Sequence, residues 1–131
     1  MVVLRLGDFC QARSGDKADI VNIAVFAPDR ASYELLREQL QAEVVAHHLR
    51  ALVAGKVSRY EVPNVLALNF VCHQALGGGG ARTLRSDMLG KTLGPNVLRI
   101  RVDVPDDLAE DLPLLRPPEA PVAFSKRPTG Q

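Results

Sequence analysis

Residues 20–28 read IVNIAVFAP and residues 30–55 read RASYELLREQLQAEVVAHHLRALVAG, and the change of period between them most constrains what this chain can fold into. The first stretch is short, rich in β-branched side chains and closed by Pro28, which suits a central strand buried on both faces. In the second, Tyr33, Leu36, Leu40 and Val44 recur at helical spacing and Val45, Leu49 and Leu52 widen the stripe, while Arg37, Glu38, Gln41 and Glu43 face water. Gly55 supplies a C-terminal stop. The apolar face drifts near Gln41, which leaves one long helix or two shorter ones open.

Further strands flank this unit. Val2, Leu4 and Leu6 alternate with Val3, Arg5 and Gly7. KVSRYEV and VLALNFVC read as a hairpin turning at Pro63-Asn64, because proline presets one φ angle and asparagine tolerates the next. In its second strand Leu66, Leu68, Phe70 and Cys72 share one face and Asn69, Val71 and His73 the other, half polar as expected beside a site. RTLRSD reads as another strand, and KTLGPNVLRI as a short, proline-interrupted helix feeding a last strand, LRIRVDV. This order predicts an α+β fold, a two-layer sandwich with helices on one face of a mainly antiparallel sheet. The domain is expected over residues 1–104. Over 105–131, Pro113, Pro117, Pro118, Pro121 and Pro128 follow Pro105 with few periodic apolar residues, which predicts an extended, partly disordered tail.

At 131 residues the chain has the size of one domain. Sixteen Lys and Arg face fifteen Asp and Glu, so no global field favours nucleic acid or an acidic membrane. No apolar run approaches the roughly 18 residues of a membrane span. Cys10 and Cys72 lack C-x-x-C spacing and no secretory signal opens the chain, so two free, buried thiols in a reducing cytoplasm are expected over a disulfide.

The candidate site lies in two polar segments. Gly77, Gly78, Gly79 and Gly80 stand between an apolar run and Arg82, Arg85 and Lys91. Ordering each glycine costs roughly 0.5 to 1 kcal/mol relative to alanine, so either a ligand offsets that cost or the run is a plain connection. Glycine amides can converge on an anion, and arginine adds bidentate contacts to phosphate or carboxylate. ARSGDK, residues 12–17, reads as a tight polar turn presenting Arg13, Ser14, Gly15, Asp16 and Lys17, or as an ordinary surface turn. His73 stands near the glycine run, where an imidazole suits general acid or base work with Asp16 or Asp87 to orient it, or is a half-exposed strand histidine.

Three other motifs fail. Ser14-Gly15-Asp16-Lys17 fits S-x-x-K literally, but the acyl-serine signature needs a helix start and a far longer chain. Gly90-Lys91-Thr92 ends like a P-loop, yet Arg85 stands where that motif requires glycine. His47 and His48 are adjacent on a helix and diverge by about 100°, so they cannot share a metal. No metal site and no cofactor are expected.

ARSGDK with NIAV, RYEVPNVLALNF, and ALGGGG with LRSDMLGKTL together resemble the small ferredoxin-like domain at the C-terminal end of the acyclic terpene utilisation protein AtuA and its relatives, here over Cys10 to Val104. Ala18 and Ala24 depart from it, standing where relatives often have glycine. The resemblance implies a ferredoxin-like sandwich, a setting in branched-chain acyl-CoA and terpenoid breakdown, and shared polar positions at Arg13, Ser14, Gly15, Asp16, Lys17, Asn22, Asn64, Asn69, Gly77, Gly78 and Lys91. The family's larger N-terminal domain has no counterpart in these residues, so the domain is expected as a separate polypeptide. The leading expectation is a binding domain or accessory subunit taking an anionic metabolite, an acyl-CoA or a carboxylate. The others are a docking or homo-oligomerising module that pairs with a large AtuA-like subunit or with itself, and a small enzyme using His73.

Overall fold

The computed structural model describes residues 1–17, 20–73 and 93–115, with Asp16 and Lys17 described by their backbone alone. Strand β1 (Val2–Arg5) is followed by a single 3-10 turn, then by β2 (Gln11–Lys17) and β3 (Ile20–Phe26). Helices α1 (Arg30–Gln39) and α2 (Ala42–His48) lead to β4 (Val57–Val62) and β5 (Ala67–His73). The described part of α3 covers 93–97, and β6 (Arg101–Val104) and α4 (Asp106–Asp111) follow. Every strand pair is antiparallel: a four-stranded sheet runs β2-β3-β5-β4, and β1 pairs with β6 in a second, two-stranded sheet.

One face of the larger sheet makes the core. Val21, Ile23, Val25, Leu68, Phe70 and Cys72 alternate onto it and are buried, together with Tyr33, Leu36, Leu40, Val45 and Leu49 from the helices. Leu4, Val102 and Val104 join the same core from the two-stranded sheet, and Leu6 from the 3-10 turn after β1. Each such side chain contributes about 1.5–3 kcal/mol by leaving water. The α+β sandwich with helices against one sheet face is therefore the observed architecture.

The helical stretch is two helices. Buried positions fall at 33, 36 and 40, then at 45 and 49, so one step of five residues interrupts the helical period. The chain absorbs it at Leu40 and Gln41, both outside helical geometry, and the Gln41 amide donates to the carbonyls of Arg37 and Glu38. That phase shift corrects the expected stripe: Val44 is exposed and Val45 is buried in its place. At the other end of α1, Asp29 accepts from Ser32 N–H at 2.8 Å, a cap worth about 1 kcal/mol.

Three other expectations are corrected. ARSGDK is not a turn; it lies in β2, each residue from Gln11 to Lys17 opposite one of β3. Its polar residues sit on an edge strand, where the ladder to β3 supplies the backbone hydrogen bonds and no continuous apolar face is required. Strand β3 is central but buried on one face only, since Asn22 and Ile20 are exposed and Ala24 and Phe26 half-buried. Past Val104 the described chain is first helical, and Leu112 buries itself in the core cluster, so residues 105–112 dock on the domain instead of trailing from it. Residues 116–131 lie outside the described residues, as does RTLRSD. The β4–β5 hairpin turns at Pro63-Asn64 as read, with Leu66 at φ 56° completing the bend.

Candidate functional site

Antiparallel register puts directly opposed residues on the same face, so pairing alone maps the sheet face turned away from the helices. Three rows cross it. Arg13, Ala24, Asn69 and Tyr60 form the first, and Gly15, Asn22, Val71 and Ser58 the second. Lys17, Ile20 and His73 form the third, which Lys56 extends because its carbonyl accepts from His73 N–H at 2.9 Å. Strand and residue spacings make this platform about 14 Å on a side.

The platform is polar and small-centred. Arg13 and Asn22 are exposed and Asn69 and His73 half-buried, and none of these four side chains makes a hydrogen bond or ion pair among the described residues. Gly15 leaves room that Asn22 overlies: a β-carbon there would meet Asn22 Oδ1 at 3.6 Å, ordinary contact, so sterics do not demand glycine. Tyr60, 55% exposed, and Lys56 were not singled out from the sequence. The signal for Tyr60 was alternation in KVSRYEV, which is readable only once the register beside Asn69 is known.

Ser14 belongs to the other face. It is paired with Ile23, and its Oγ lies 3.6 Å from where a β-carbon on Gly94 would stand, so β2 packs closely on α3. Asp16 pairs with Val21 in the row of Cys72 and Val57, whereas His73 belongs to a row of the opposite face. Asn64 sits in the β4–β5 turn, at the far end of seven-residue β5 from His73, about 20 Å along the strand. The structure thus gathers Arg13, Gly15, Lys17, Asn22, Asn69 and His73 on one face and sets Ser14, Asp16 and Asn64 apart. Gly77, Gly78, Gly79, Gly80, Arg82, Arg85, Asp87 and Lys91 lie outside the described residues.

The thiols are free, buried and unreactive in character. Burial, with a smaller contribution from the Asp29 charge, pushes Cys10 up from 9.0 to about 12, and burial pushes Cys72 up to about 11. His48 Nε2 lies 2.8 Å from the Asn96 carbonyl while His47 is exposed, so these neighbours serve separate surroundings. No helix among the described residues is long and apolar enough to cross a membrane.

Two layers, all-antiparallel strands and a polar platform define a small α+β domain of the ferredoxin-like class. The family model of the AtuA ferredoxin-like domain matches residues 4–103, and the chain belongs to that family. Neither a curated protein nor a solved structure matches it.

Proposed function

We propose that the Lys17–His73 end of the platform binds a small anionic metabolite, a carboxylate or an acyl-CoA. One observation carries this reading: His73, the last described residue before the segment 74–92, lies on the platform itself. His73 shares a row with Lys17 through Ile20, whereas Gly94, past that segment, rests against Ser14 on the opposite face. The four glycines and the cations Arg82, Arg85 and Lys91 follow His73 in the sequence. Lys56 adds a cation at the end of the same row. Arg13, Asn22 and Asn69 present uncommitted polar groups with which to orient a carboxylate or phosphate oxygen.

In this reading the domain is an accessory subunit that presents its ligand within branched acyl-CoA or terpenoid catabolism, alongside a separate large AtuA-like subunit. Thermal unfolding with free CoA, acyl-CoA thioesters and simple branched carboxylates tests it. Ligand at 100 times its dissociation constant adds about 2.7 kcal/mol of stability. An unchanged melting temperature with all of them overturns it.

A further inference from the structure

We propose that two copies of this chain associate through the outer edge of β1, antiparallel about a two-fold axis at Val3. This contact lies away from the platform and does not depend on the anion reading.

The two outer edges of the β1–β6 sheet are treated differently. Leu6 N–H donates to the Ile100 carbonyl at 2.9 Å, and register continues this pair to Leu4 with Val102 and Val2 with Val104. Antiparallel alternation then turns the backbone groups of Val3, Arg5 and Asp103 outwards. On the β6 edge, Asp103 is satisfied in both groups by the Gln39 side chain, at 2.7 and 2.9 Å. On the β1 edge, Arg5 N–H is taken by Asp8 Oδ2 at 2.9 Å. The Val3 amide and carbonyl have no partner among the described residues. An outward, unpaired strand edge is a template for another strand.

The surroundings are apolar where the strand would lie. Met1 is 78% exposed, Val3 59% and Leu114 38%, and a groove of about 560 Å³ is lined by residues of β1 together with Arg101, Asp106, Ala109, Glu110 and Leu114.

Charge selects a second copy as the occupant. Arg5 and Arg101 stand directly opposite one another at one end of β1, with Asp8 beside them. Asp106 is at the other end, 3.0 Å from the Met1 ammonium, with Asp107 next to it in the first turn of α4. Basic residues thus gather at the Arg5 end, and the acidic first turn of α4, Asp106 and Asp107, stands at the other. A two-fold axis at Val3 sets the Arg5 end of each copy over the Asp106 end of the other, and the two Val3 residues exchange their free hydrogen bonds.

Sedimentation velocity across the micromolar range, with NMR exchange of the Val3 amide, tests the contact. The expected result is a dimer that grows with concentration while the Val3 amide becomes protected. Val3→Pro removes the outward N–H without touching a bond to β6, and should leave a folded monomer. Asp106→Arg and Arg101→Asp should each weaken dimerisation by about tenfold, and the double variant should restore it. These reversals serve even where Val3→Pro fails to fold. A monomer at every concentration overturns the proposal, including the case in which this edge is covered from within the chain or by another protein. So does a dimer indifferent to Val3→Pro and to both reversals.

Discussion

The side-chain amide of Gln39 stands in for a β-strand neighbour to Asp103, donating to its carbonyl and accepting from its N–H across 64 residues of sequence. The C-terminal end of α1 is thereby fastened to the outer edge of β6. Hydrogen bonds of this kind contribute about 0.5–1.5 kcal/mol each, less when water competes at an exposed site. Gln39→Ala should cost about 1 kcal/mol in urea unfolding, and Gln39→Met, which keeps the bulk, should cost the same. An unmoved midpoint in both would mean that water serves Asp103 equally well.

Arg59 holds the other side of that helix end. Its Nη1 donates to the carbonyls of Arg37 at 2.8 Å and Leu40 at 3.2 Å, and its Nη2 reaches Glu61 at 3.3 Å. These carbonyls fall where α1 runs out of its own donors. Arg59→Met should destabilise by about 1–2 kcal/mol, with Arg59→Lys recovering only part, since an ammonium lacks the planar fork that spans two acceptors. Full recovery by lysine in a denaturation series would show that charge alone suffices.

Tyr33 is buried to 1% exposure and its hydroxyl has no partner among the described residues. An unsatisfied buried hydroxyl carries its desolvation cost with no return. Tyr33→Phe should therefore hold or raise stability, by up to about 1 kcal/mol, whereas Tyr33→Ala should lose about 3–5 kcal/mol to the cavity. A clear loss on Tyr33→Phe would reveal a hydrogen bond to the hydroxyl.

The raised thiol values of Cys10 and Cys72 set an alkaline limit on stability. In the unfolded chain each thiol ionises from 9.0, but in the folded chain only near 12 and 11. Between those values the native state binds more protons than the unfolded one, so stability is intact below pH 9 and falls above it. The slope approaches about 1.4 kcal/mol per pH unit for each thiol. Cys10→Ala should flatten part of that fall in urea titrations run from pH 8 to 11. A slope identical to that of the parent would remove Cys10 from the account.

Arg13 and Lys56 are exposed and unpaired among the described residues, so removing them should leave the unfolding midpoint within about 0.5 kcal/mol. The ligand-induced shift is where they should count. Arg13→Ala and Lys56→Ala should each weaken binding of an anionic ligand several-fold, measured by calorimetry at low salt. Undiminished affinity in both would place the ligand elsewhere.

The buried stripes of α1 and α2, the β4–β5 hairpin and the antiparallel sandwich were legible because each is written in a local period of apolar residues. The strand at Gln11–Lys17 was not, since an edge strand holding Arg13, Ser14, Gly15, Asp16 and Lys17 has no apolar period and owes its shape to β3. Of the candidate site, the residue types were legible but not their sides. Ser14 and Asp16 look like neighbours of Arg13 and Lys17, yet a pleat sends alternate residues to opposite faces.

Sequence by itself determined which residues could be buried and where the chain had to turn, because desolvation and backbone geometry act over a few neighbouring residues. Tertiary structure alone decided that β2 lies beside β3, that His73 shares a row with Lys17, and that Gln39 closes the outer edge of β6. Those relations join residues as far as 64 positions apart, and only the packing of the core sets their distance.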